Sequence, residues 1–108
     1  MEYSAKLSSF HTVNQDTNQF TVYVVTVRKG NTQWQVFRRY NQWEELRVRL
    51  YSETGSAPDM PRKMLFGRMR PEVIEQRVLG LNHFLQSALS SSAYASSPGL
   101  AEFLEFEK

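Results

Sequence analysis

The sequence predicts an α+β domain, a three-stranded antiparallel meander packed on a helical subdomain. Three observations predict it. The first 37 residues are dense in β-branched and aromatic side chains and are broken twice by short turn-forming clusters. From residue 40 onward, apolar residues recur at spacings of three and four, as on one face of a helix. Strands come first and helices after them, so the two are segregated along the chain and do not alternate.

Residues 1–13 read as the first strand, with Tyr3, Ala5 and Leu7 on one face and Phe10 and Val13 following. Residues 14–18 are polar and form a turn. The run 20–28 (FTVYVVTVR) is the strongest strand in the chain. Lys29-Gly30-Asn31 is a tight turn, because glycine takes positive φ without cost. Residues 32–37 pair back as the third strand, and one face of the meander then needs a cover.

Helices supply the cover. Residues 40–51 place Trp43, Leu46 and Leu50 on one helical face. Gly55 and Pro58 break the pattern over residues 52–59. Residues 60–67 (MPRKMLFG) form an irregular stretch that is both apolar and basic. Pro71 suits the first position of a new helix, where its missing N–H costs nothing. Ile74, Val78, Leu81, Leu85 and Ala88 then mark an amphipathic helix to about Leu89. Ser90 to Ser92 end it, Ser96 and Ser97 read as loop or cap, and a short helix after Pro98 carries Leu100, Phe103, Leu104 and Phe106.

The chain of 108 residues is one domain, long enough to bury a core without staples. Its 41% apolar content argues against disorder. Without cysteine there is neither a disulfide framework nor a thiolate metal site, which fits a reducing compartment. No apolar run approaches the ~18 residues of a membrane span, and Met1-Glu2-Tyr3-Ser4 lacks a signal-peptide pattern.

The net charge of +2 names no partner, but its distribution is uneven. Nine Arg or Lys residues lie between Arg38 and Arg77 (Arg38, Arg39, Arg47, Arg49, Arg62, Lys63, Arg68, Arg70, Arg77), and residues 102–107 are acidic. A basic middle points to an anionic ligand, a phosphate or a lipid headgroup; a solvated mixed-charge surface is the plain alternative.

Catalysis finds no support. His11 sits in a strand and His83 in mid-helix, with no metal-ligand spacing between them. Gly55, Gly67 and Gly80 are too scattered for a phosphate loop. Glu44 and Glu45 diverge by ~100° on a helix, and no base accompanies a serine. Neither a cofactor nor a metal is expected. Nucleic acid is not expected either, since no recognition-helix or aromatic surface-strand pattern is present.

The informative stretch is Phe37-Arg38-Arg39-Tyr40, where a strand hands over to a helix. Neighbouring side chains on a strand point to opposite faces, so at most one of the two arginines faces a given pocket. Both being solvated, or paired with Glu44 and Glu45, is the bland reading. Downstream stands Pro58-x-x-Pro61-x-Lys63, by itself a polyproline ligand or a stiff loop. Then come Met64-Leu65-Phe66-Gly67 and a Pro71-led helix carrying Arg77.

That order of motifs resembles the PX (phox homology) domain family over nearly the whole chain, from about Tyr3 to Phe106. The resemblance implies a single domain over residues 1–108, non-catalytic, with an anion pocket between meander and helices. It further implies binding of phosphatidylinositol 3-phosphate and peripheral, reversible attachment to early endosome membranes from the cytoplasm. By position, Arg39 resembles the residue that clamps the 3-phosphate, with a planar fork suited to that contact. Tyr40 resembles the aromatic floor under the inositol ring, Lys63 the lysine at the 1-phosphate, and Arg77 the arginine that reads the 4- and 5-hydroxyls. Arg77 is expected on the polar side of its helix. Asn41 departs from members that carry a second base after the tyrosine.

Secondary anionic-lipid contacts are expected from Arg38, Arg62 and Arg68, with Arg38 turned away from the pocket. Met64 and Leu65 are expected to enter the bilayer, while Phe66 is either core or inserted. The alternative is a divergent member used for protein–protein interaction or for anionic phospholipids without specificity. Protein partners, the parent protein and oligomeric state are not legible.

Overall fold

Alternation in the first forty residues becomes a sheet with one apolar face. The computed structural model describes residues 3–64 and 67–106. Strands β1 (Tyr3–Gln15), β2 (Asn18–Lys29) and β3 (Thr32–Arg39) form an antiparallel sheet in the order β1-β2-β3. Gly30 closes the β2–β3 turn at φ 59°, and Asp16 turns β1 into β2 at φ 55°, a conformation Asp tolerates better than most residues. Both strands run closer to the turn than the sequence predicts, because the ladder continues as far as Gln15↔Asn18.

β1 is not regular throughout. Its register against β2 shifts between Leu7 and Ser9. Before the shift, Ala5 and Leu7 stand opposite Val27 and Val25; after it, Phe10 stands opposite Tyr23. An extra residue in one strand reverses the parity of every side chain beyond it. The shift therefore keeps Phe10 on the same face as Leu7 despite their odd spacing.

Helices α1 (Tyr40–Thr54), α2 (Pro71–Ser90), α3 (Ser92–Ala95) and α4 (Pro98–Leu104) cover that face. α1 runs one turn beyond the expected Tyr51 and stops at Gly55, whose φ of 90° suits a helix C-cap. The serine-rich stretch expected as loop contains the one-turn α3. α4 ends at Leu104, before Phe106, which instead stacks on Tyr3 with ring centroids 3.6 Å apart.

Trp43, Leu46 and Leu50 of α1 meet Leu81, Phe84, Leu85 and Ala88 of α2, Leu100, Phe103 and Leu104 of α4, and Tyr23, Val25, Val27 and Val36 of the sheet in one core. Trp43 is its centre, fully buried, with Phe103 at 4.9 Å and Phe84 at 6.2 Å between ring centroids, both edge-on.

Two edges and one helix pair are tied by polar groups. α2 caps the start of β1, where Asn82 Oδ1 accepts from the Leu7 N–H (3.0 Å) and Gln86 donates to the Ala5 carbonyl (2.7 Å). Strand-edge groups covered in this way are not open to pairing with another chain. At the other edge, Trp34 donates to the Leu104 carbonyl at 2.8 Å. The end of α1 is joined to the start of α4 by Glu53, which accepts from the Ser97 hydroxyl, the Gly99 N–H and Arg49. Those donors, Ser97 first, hold the Glu53 carboxyl below the usual glutamate range.

Candidate headgroup pocket

Four segments meet at one end of the sheet: β2 from Phe20 to Tyr23, the β3–α1 junction, the Pro-rich loop with the turn that follows it, and the first turns of α2. Between them lies a cavity of about 260 Å³ lined by Phe20, Thr21, Tyr23, Arg39, Tyr40, Asn41, Lys63, Met64, Arg68, Met69 and Arg77. The lining holds four cations and no carboxylate. Tyr40 and Asn41 open α1, whose first turn carries no acidic residue and no side-chain cap on its N–H groups. Uncapped first-turn N–H groups add partial positive charge to the same space. The arrangement is complementary to a compact, multiply charged anion.

Arg39 is the residue before α1. Its backbone N–H donates to Gln42 Oε1 at 2.8 Å, which fixes the start of the helix, and its guanidinium lies over the Phe20 ring at 3.9 Å. Arg38, one residue earlier, stands opposite Tyr23 on the helix-facing side of the sheet. There it donates to the Phe103 carbonyl (2.7 Å from Nη2) and pairs with Glu105 at 3.0 Å. Neither arginine pairs with Glu44 or Glu45. The expected lipid contact from Arg38 does not fit this placement, because its donors already satisfy the end of α4. Its orientation away from the pocket does fit.

Arg77 departs from the sequence reading. It shares the buried face of α2 with Ile74 and Leu81, not the polar side, and is only 6% exposed. Its guanidinium stacks on the Tyr40 ring at 4.1 Å, and Nε has no hydrogen-bond partner among the described residues. The fully buried Tyr23 hydroxyl, also without a hydrogen-bond partner among the described residues, lies close enough to feel its charge. Burial pushes Tyr23 above the usual tyrosine range, and Arg77 draws it partly back. Tyr40 is likewise raised, by burial first and then by Glu44, against Arg77. A buried guanidinium with no carboxylate partner among the described residues is costly, and an anion in the cavity would compensate that cost.

The Pro-rich loop is pinned at three points. Arg47 donates to the Pro58 carbonyl (2.9 Å), the Tyr40 hydroxyl donates to the Pro61 carbonyl (2.5 Å), and Lys63 lies 3.8 Å from Glu44. Gly80 permits the middle one. A Cβ at that position would stand 2.3 Å from Pro61 Cγ. Sequence reasoning missed Gly80. The available signal was a lone glycine inside an otherwise strong amphipathic helix, a pattern that marks a close approach.

Gly80→Ala therefore has an expected outcome opposite to helix propensity. Alanine favours a helix interior by about 1 kcal/mol over glycine, but a rigid proline ring in contact with α2 makes overpacking dominant at about 1–3 kcal/mol. The variant should melt below the wild type, with amide shifts at Tyr40 and Lys63. A melt equal to or above the wild type would show that the loop yields freely.

A family model for the PX domain matches residues 26–107. The chain belongs to the PX domain family. PX domains are phosphoinositide-binding modules, non-catalytic in themselves. This PX domain is 32% identical over 106 residues to the rat (Rattus norvegicus) serine/threonine-protein kinase Sgk3, covering 96% of this chain and 21% of the kinase. It is 34% identical over 95 residues to sorting nexin-16 of Mus musculus, covering 85% of this chain and 28% of that protein. The chain thus spans about a fifth of the kinase and little more than a quarter of the sorting nexin. Among solved structures, a designed CISK-PX domain superposes with TM-score 0.85 at 22% identity, covering 94% of this chain and 98% of that one. The mouse SNX19 PX domain with bound sulphate ion gives TM-score 0.72 at 20% identity, covering 94% of each chain. These likenesses bear out the α+β fold, a meander followed by helices.

The four residues expected at the headgroup, Arg39, Tyr40, Lys63 and Arg77, all line this same cavity. So do Arg68, expected as a peripheral lipid contact, and Met64, which is 40% exposed. Arg62 lines an adjoining groove between α1 and the loop, in company with Glu44, Arg47 and Asp59. Leu65 and Phe66 lie outside the described residues. Among the described residues, no helix is long and apolar enough to cross a membrane.

Proposed function

We propose that this PX domain binds phosphatidylinositol 3-phosphate through the cavity and so carries its parent protein to endosomal membranes, as one domain over residues 1–108 that performs no catalysis. The observation that carries this reading is the convergence of Arg39, Lys63 and Arg77, far apart in sequence, on one carboxylate-free space beside Tyr40. In this reading Arg39 clamps the 3-phosphate with its planar fork. Tyr40 supports the ring, Lys63 meets the 1-phosphate, and Arg77 donates to the 4- and 5-hydroxyls. Arg77 is held by burial and by the Tyr40 ring, so a 5-phosphate would have to displace a packed side chain. Met64, exposed at the rim, and Leu65 add apolar contact with the bilayer.

The diffuse-charge alternative draws less support. Arg38 is engaged by α4, and Arg62 stands in a groove with two carboxylates. Liposomes of equal total negative charge, each with a different phosphoinositide, separate the two readings in a co-sedimentation assay. Preference for the 3-phosphate lipid is the expected result. A response that follows total charge alone would overturn the specific pocket, and it would fall steeply with salt, as exposed charge does.

A further inference from the structure

We propose that Arg68 is a further headgroup-holding side chain, supplying at the cavity wall the second strong cation that Asn41 does not. The proposal rests on the phosphoinositide reading above. Arg68 lines the cavity with Arg39, Lys63 and Arg77, and among the described residues it has no hydrogen-bond or ion-pair partner.

Its position is fixed from both sides. Gly67 adopts φ 72°, and its carbonyl accepts from the Arg70 N–H at 3.0 Å, closing a turn directly before Pro71 and α2. Met69, in the same turn, rests against β2, its sulfur 3.8 Å from the Thr21 hydroxyl that donates to it. Arg68 therefore projects from a braced turn, so its backbone needs little ordering when it meets a ligand, and only its exposed side chain gives up rotamer freedom.

The neighbouring cations are placed differently. Arg70 folds over Gly67, its Nε 3.1 Å from where a Cβ there would stand, and does not line the cavity. Arg62 lies in the adjoining groove with Glu44 and Asp59. Lys63 reaches the cavity but also lies 3.8 Å from Glu44. A phosphate monoester carries about −1.5 to −2 at neutral pH and three acceptor oxygens. One arginine fork leaves acceptors over, and an unpaired guanidinium in the same lining meets that need.

Arg68→Gln and Arg70→Gln remove the same charge two residues apart, so the pair separates a contact from a surface field. Titration with dibutanoyl phosphatidylinositol 3-phosphate, below its aggregation limit and without membranes, is followed by calorimetry. Arg68→Gln should weaken binding about tenfold, as loss of a charge-assisted contact does, and Arg70→Gln should stay within about twofold. Arg68→Lys should recover part of the loss. Equal, small effects of the two glutamine variants, with wild-type binding intact and Arg39→Ala inactive, would overturn the role of Arg68 alone. Absence of wild-type binding to this soluble lipid would overturn the phosphoinositide reading, and Arg68's role with it.

Discussion

Arg39→Ala should lose binding to phosphatidylinositol 3-phosphate liposomes by about 10- to 100-fold, the equivalent of the 1.5–3 kcal/mol attached to hydrogen bonds with a charged group. Its thermal melt should stay close to the wild type. The side chain is exposed, and its structural contact is the Phe20 ring at 3.9 Å, a cation–π pair worth about 0.5–1 kcal/mol at an exposed site. Arg39→Lys should fall between, because lysine keeps the charge and loses the fork. Arg38→Ala is the matched opposite. It removes the donors to the Phe103 carbonyl and the pair with Glu105, so it should lower the melt and leave lipid affinity nearly intact. Binding by Arg39→Ala at wild-type strength would remove the cavity from consideration.

Trp43→Ala should have the largest effect on stability of any substitution considered. The indole is fully buried between Phe84 and Phe103, and truncation of such a side chain costs about 3–5 kcal/mol. For a domain of this size each kcal/mol moves the melt by about 4–8 °C, so a fall of at least about 12 °C is expected. Trp43→Phe should cost far less. It leaves a smaller void, and it removes an indole N–H that is buried without an acceptor among the described residues, an arrangement that costs about 1–3 kcal/mol. A Trp43→Ala melt within about 4 °C of the wild type would mean that the core is organised around another residue.

Much of this was legible in the sequence because it depends on local rules. β-Branched runs, turn residues at fixed places and a three-four apolar spacing determined the three strands, the two long helices and their order. The motif pair Arg39-Tyr40 and Pro58-x-x-Pro61-x-Lys63, with Arg77 downstream, pointed to the right family and to side chains that do share one cavity. Periodicity also implied where it would mislead. Arg77 falls on the same face as Ile74 and Leu81 by spacing, but a charged residue is assigned to the solvent side by default. Its burial becomes visible only with the Tyr40 ring packed 4.1 Å from the guanidinium.

Tertiary structure decided what depends on contacts between distant segments. Which arginine of the Arg38-Arg39 pair turns to α4 and which to the cavity follows from the pairing of β3 with β2 and from where α4 ends. Gly80 matters because Pro61 arrives against it from another part of the chain. Arg68, expected from the sequence only as a secondary anionic-lipid contact, lines the cavity from a turn held by Gly67 and by the contact of Met69 with Thr21. Patterning sets which face of each element is apolar, since that is a property of neighbouring residues. The meeting point of side chains from four elements is set by how those faces pack, and no local pattern records it.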